Sequence, residues 1–149
     1  MQLAHIHLLS TDLPRSVAFY VDNLQFRYFG RQVIERARYI TDHWMPEGTE
    51  IAFVRDPSGG EIAIERAAVV AKFPPWFHFG FLLDSEGAVQ DLYARMQANG
   101  VPLRKLTREG QVLGFRAYDP DGYLLEFCYD HVRDRINPGT EVRKELKCE

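Results

Sequence analysis

LAHIHLLSTDLPRSVAFYVDNLQF, residues 3–26, decides the fold. Residues 3–9 are apolar apart from His5 and His7, and they run straight into Ser10, Thr11 and Asp12, the chemistry of a strand that ends in a turn. Ser10 or Thr11 can then cap a helix carrying Pro14 in its first turn. Leu13, Val17, Phe19, Tyr20 and Leu24 are spaced to give that helix one buried face. Residues 26–33, with Tyr28 and Phe29 inside, return to strand composition, and residues 50–55 and 60–66 read as two further strands. The first half is therefore β-α-β-β-β.

The same order returns after Pro74 and Pro75. Residues 76–83 form a strand, Ser85 caps a helix that Gly100 closes, and Ala88, Val89, Leu92 and Met96 lie on one side of it. Residues 103–106, 112–118 and 123–129 supply three strands. His5 precedes the first helix by the interval at which His78 precedes the second, an offset of 73 residues (78 minus 5). Each half closes on a turn rich in Asp, Pro and Gly followed by a strand with a glutamate: DPSGGEIAIE from Asp56 and DPDGYLLE from Asp119. A repeat this long exceeds a solenoid unit and implies duplication of one supersecondary module. With 149 residues, the chain is expected to be a single domain. Module one covers about 1–66 and module two about 76–129, joined by a linker at 67–75 and followed by a charged tail at 130–149.

Alternation along a strand puts His5 and His7 on one face, Glu61 with Glu65, and Trp76 with His78 and Gly80. If the modules pair about a pseudo-twofold axis, His5, Glu65, His78 and Glu126 converge on one cleft. Two imidazoles plus carboxylates suit a divalent ion of the Fe, Co, Ni, Zn series and leave positions open for water or a bidentate substrate. Taken singly, a strand histidine is more often structural than ligating; four positions related by an internal repeat shift that balance. Glu126 is the strongest of them, because in YLLEFCY a buried carboxylate calls for a cation. Glu61 competes with Glu65 on its face, His43 and His131 fall in loop-like segments, and Cys128 reads as a small buried hydrophobe.

Composition excludes several classes. There are 18 basic and 21 acidic residues, a net charge of -3, and no clustered basic stripe, so nucleic acid is not an expected partner. Cys128 and Cys148 sit in unrelated settings and form no disulfide framework. The first apolar stretch makes a poor signal peptide and no run approaches membrane-spanning length. A cytoplasmic protein without membrane partners is expected. No nucleophile elbow, phosphate loop or CxxC pair occurs.

Residues 3–26, FHFGFLL at 77–83 and YDPDGYLLEF at 118–127 resemble the glyoxalase, bleomycin-resistance and dioxygenase (vicinal oxygen chelate) superfamily. The resemblance covers about 3–129. It implies an α+β fold in which two βαβββ modules form a curled mixed sheet around a metal cleft, with modules often exchanged between chains, hence a homodimer. It puts metal ligands at His5, His78 and Glu126, and the glyoxalase I branch adds Glu65. That branch implies a lyase or isomerase acting on a small oxygen-chelating substrate, a hemithioacetal, through a metal-bound enediolate. Glu126 would be the proton-shuttling base and Glu65 its catalytic counterpart. His7, Trp44 and Arg116 are the candidate substrate contacts. Glutathione-using members carry an Arg and an Asn where this chain has Leu9 and Val69, so glutathione is not supported. The usual Leu-Gly-Phe after the first helix is Leu24, Gln25, Phe26 here. The triad His5, His78 and Glu126 is also the ligand set of Fe(II) extradiol dioxygenases and of fosfomycin-modifying transferases. A metal-free drug-sequestering module is a third class. Metal identity separates them: Ni or Zn, Fe(II), or Mn.

Overall fold

Asp12, not Ser10 or Thr11, caps the first helix, its carboxylate accepting the Arg15 amide at 3.2 Å. Ser10 belongs to the preceding strand, where its buried hydroxyl meets that of Ser16 at 2.8 Å. The second helix starts on Ser85, which accepts from the Ala88 amide at 3.1 Å. The two caps are again 73 residues apart (85 minus 12).

The computed structural model describes residues 5–40 and 42–131. Leu3, Ala4 and residues 132–149 of the expected tail lie outside the described residues. Module one comprises β1 (His5–Ser10), α1 (Leu13–Leu24), β2 (Arg27–Val33), β3 (Arg38–Ile40), β4 (His43–Met45), β5 (Glu50–Arg55) and β6 (Glu61–Arg66). Module two comprises β7 (Phe79–Leu82), α2 (Glu86–Ala98), β8 (Thr107–Glu109), β9 (Val112–Tyr118) and β10 (Leu124–Asp130). The sheets have orders β1-β6-β5-β2 and β7-β10-β9-β8. In each, the first strand pairs parallel with the last and the remaining pairs are antiparallel. The fold is α+β, two copies of one module.

Three expectations change. The strand expected at 76–83 shortens to β7, with Trp76 and Phe77 in a turn. The strand expected at 103–106 reduces to a single bridge from Leu103 to Ala117, and β8 follows it. Module one also gains a hairpin, β3 against β4, that has no counterpart in module two.

Alternation sorts the sheets. Leu8, Ile62, Ile64, Ala52 and Val54 from one sheet, and Leu125, Phe127, Phe115 and Ala117 from the other, join both helices in one core. The opposite faces carry His5, His7 and Glu65 in module one and Gly80, Arg116 and Glu126 in module two, and they are turned away from that core. The modules are tied by the second DP turn. Tyr20 donates to buried Asp119 at 3.0 Å, and Asp121 receives the amide and hydroxyl of Thr11 and the Arg15 guanidinium. The Leu9 amide donates to the Tyr123 hydroxyl at 2.9 Å.

Candidate metal centre

In module one, β1 and β6 run in parallel register with His7 beside Ala63 and Leu9 beside Glu65. Glu65 is buried at 6% exposure, beside Ile51 in the register of β5 with β6. Its Oε2 lies 3.0 Å from His7 Nε2 and 2.9 Å from His43 Nε2. Each of the three residues offers a ligand atom within 4.8 Å of the others, and among the described residues they are the one group of three or more that does so. The sequence puts His43 in a loop-like, solvated segment; it is exposed, but on β4, which carries it to Glu65. The signal was present in RYITDHWM, two short strand-like runs around Thr41 and Asp42, but three-residue strands lie below what periodicity resolves.

In module two, the register of β10 with β9 sets Glu126 opposite Arg116, and that with β7 sets it beside Gly80. Arg116 Nε and Nη2 both donate to Glu126 Oε1, at 3.0 and 2.8 Å. Glu126 is half-buried and its counter-charge is this guanidinium, so the cation that its sequence setting calls for is present in the chain itself. His78 Nε2 stands 3.4 Å from Glu126 Oε2. His78 Nδ1 lies 2.8 Å from the Trp76 carbonyl, which can only accept. In the neutral ring the proton therefore sits on Nδ1, and Nε2 turns a lone pair toward a carboxylate oxygen. An imidazole nitrogen and a carboxylate oxygen this close can bind one cation together, and a backbone carbonyl fixing the far nitrogen is the usual support for a ligating imidazole.

The remaining sequence candidates separate. His5 is exposed on the same face of β1 as His7 and does not meet His78 or Glu126 within the chain. Trp44 is exposed, its ring 4.9 Å from Tyr39. Glu61 is taken by Arg55 at 2.8 Å. His131 pairs with Glu86. Cys128 is partly buried on the ligand face and, with Arg104, Lys105, Thr107, Arg116 and Glu126, lines a cavity of about 410 Å³. Two histidine–carboxylate sets of metal-binding character thus lie on the two outward sheet faces.

The model of the Glyoxalase/Bleomycin resistance protein/Dioxygenase superfamily matches residues 2–127. The chain belongs to this superfamily. The uncharacterized protein PA2024 of Pseudomonas aeruginosa is 30% identical over 145 residues, covering 94% of each chain. The fold is shared with the fosfomycin resistance protein FosX of Listeria monocytogenes, at TM-score 0.71 and 20% identity over 91% of this chain and 98% of that one. It is shared as well with a glyoxylase/bleomycin resistance protein/dioxygenase domain from Frankia sp. EAN1pec, at TM-score 0.69 and 19% identity over 87% and 98%. The superfamily includes metal-dependent enzymes. Among the described residues no helix is long and apolar enough to cross a membrane.

Proposed function

We propose that this chain is a divalent-metal-dependent enzyme of glyoxalase type, a lyase or isomerase that moves a proton on a small oxygen-chelating substrate. The observation that carries the reading is the His78–Glu126 pair, with an imidazole nitrogen and a carboxylate oxygen 3.4 Å apart and Glu126 lining a cavity. His5, His78 and Glu126 would hold the ion. A bound divalent cation would lower the pKa of the carbon acid and offset the negative charge that develops on substrate oxygen. Glu126 takes and returns the proton. Arg116 holds one carboxylate oxygen and leaves the other to act, while the Trp76 carbonyl keeps His78 in its ligating tautomer.

His5 lies on a sheet face that cannot reach His78 within one chain, so the reading includes a homodimer in which each module faces the other kind of module of a second copy. Combining a His5→Ala chain with a Glu126→Gln chain in one dimer tests this. Neither variant alone should turn over, and the mixture should regain part of the wild-type activity. A mixture that stays inactive sinks the shared centre. Metal analysis of protein prepared without chelator, with a panel of hemithioacetals, catechols and fosfomycin, assigns the reaction.

One observation favours a second reading. The cavity beside Glu126 is lined by Arg104, Lys105 and Arg116 as well as by Glu109, and Arg104 and Lys105 would suit a phosphonate. A point mutant of FosX from Listeria monocytogenes has been solved with Mn(II) and 1S,2S-dihydroxypropylphosphonic acid. Turnover of fosfomycin with Mn(II), and not of hemithioacetals, would select fosfomycin-modifying chemistry.

A further inference from the structure

We propose that module one binds a divalent cation of its own, through His7 Nε2, His43 Nε2 and Glu65 Oε2, at a site separate from the His5, His78 and Glu126 set. Glu65 then serves this second ion and the catalytic set keeps three ligands.

The argument begins with charge. Glu65 and Asp119 are the buried carboxylates among the described residues. Asp119 sits among hydrogen-bond donors: the Tyr20 hydroxyl and the amides of Asp121 and Tyr123. Other paired carboxylates have a guanidinium: Glu50 has Arg31 and Arg66, Glu61 has Arg55, Glu126 has Arg116, Asp121 has Arg15. Glu65 has no guanidinium; its hydrogen-bond partners are the Nε2 atoms of His7 and His43, at 3.0 and 2.9 Å. Among the described residues its ion-pair partners are two imidazoles and no Arg or Lys. A divalent ion held between the two imidazole nitrogens and the carboxylate oxygen would put a fixed positive charge beside this buried carboxylate.

Geometry agrees. Ligand atoms about 2.1 Å from an ion and at right angles to one another are about 3 Å apart. The observed separations from Glu65 Oε2 to the two nitrogens are 2.9 and 3.0 Å. The ligands come from three strands, β1, β4 and β6, and both rings turn the same nitrogen to the same oxygen. Ile51, beside Glu65 in register, and Ala63, beside His7, give the site a dry wall, while the half-exposed His43 leaves coordination positions open. Two nitrogens and one carboxylate select Zn, Co, Ni or Fe(II) over Mg or Ca. The ion would also fasten the β3–β4 hairpin, whose Tyr39, Ile40 and Trp44 are exposed, to the sheet.

The two tryptophans allow the sites to be read separately, since Trp44 adjoins His43 and the Trp76 carbonyl holds His78. Full-length protein stripped by chelator is titrated with Co(II), Ni(II) and Zn(II), following stoichiometry, the visible Co(II) bands and tryptophan emission. His43→Ala, at a half-exposed position, should keep the wild-type circular dichroism yet bind one ion fewer per chain, or bind it at least about 100-fold more weakly. Quenching of Trp44, isolated in Trp76→Phe protein, should vanish with His43→Ala and persist with His78→Ala. Wild-type stoichiometry in His43→Ala overturns the proposal. So does a single ion abolished equally by His43→Ala and by His78→Ala, which would mean one shared centre. Loss of the ion in His43→Ala alone, with His78→Ala indistinguishable from wild type, upholds this site while removing the proposed catalytic one.

Discussion

Glu65 and Glu126 lie on the last strands of the two modules, β6 and β10, yet one faces two imidazoles and the other a guanidinium and an imidazole. The first is buried, beside Ile51 in register. The second is half-exposed on a cavity wall, with one oxygen held and one available. Each module has a carboxylate on the outward face of its last strand; what surrounds each decides whether it can hold an ion passively or exchange partners during a reaction. The difference also shows why strand position alone is a weak guide to role. Only one partner of Glu65, His7, comes from the first strand; His43 comes from a hairpin in module one, and Arg116 comes from β9 in module two.

The largest effect expected follows directly. Glu126→Gln preserves the shape at the β10–β9 pairing but removes the base, so turnover should fall by about 10²- to 10⁴-fold with little change in melting temperature. Activity that survives the substitution would take the proton-transfer role from Glu126 and erase the functional contrast with Glu65.

The two DP turns extend the comparison to stability. Burial pushes the Asp119 carboxyl up to about 6, against the hydrogen bonds from the Tyr123 amide and Tyr20 hydroxyl. Its folded value lies above its unfolded one, so the stability it contributes is full below about pH 4 and is lost as pH rises through about 6. Moving the carboxyl from its ordinary value to about 6 corresponds to about 3 kcal/mol. Asp56 has the opposite sign. Burial raises it, but the Ser58 hydroxyl and the amides of Gly60, Ser58 and Gly59 outweigh burial and hold it below the ordinary carboxylate value. Its contribution is present above pH 3.8 and lost as pH falls. In urea unfolding from pH 3 to 7, Asp119→Asn should remove a decline between pH 4 and 6, because the amide oxygen can still accept the two backbone amides. Asp56→Asn should remove a decline on the acid side only. Matching profiles for the two variants would refute the contrast between a turn that latches the other module and a turn that caps itself.

Much of this architecture is legible in the residues. The repeat, both helices and the faces of the strands follow from alternation, caps and DP turns, because those features are local. The partners of the site are not legible, because they depend on register and on the path of the chain. Arg116 meets Glu126 only through the turn that connects β9 to β10. His43 arrives on a hairpin that the repeat does not predict, since module two has none. The convergence expected of His5 with His78 and Glu126 does not occur in one chain, because both ligand faces turn outward when the helices share a core. Alternation correctly says which residues share a face, and says nothing about what that face will meet.

The smallest effect concerns how the two helices end. α2 finishes at Asn99 with φ -84° and passes the left-handed position to Gly100 at φ 70°. α1 puts Gln25 itself at φ 59°, where its amide reaches Val21 O and the following Phe26 amide reaches Tyr20 O. A residue with a Cβ pays about 1–2 kcal/mol for that conformation. Glycine avoids the cost but loses about 0.5–1 kcal/mol through its freer unfolded chain. Gln25→Gly should therefore stabilise module one by about 0.5 kcal/mol, a rise of about 1–2 °C in melting temperature. Gly100→Ala, the converse change in module two, should lower it. If Gln25→Gly instead destabilises the protein, the glutamine side chain makes a contact that outweighs its backbone strain, and the two helix ends are not equivalent stops.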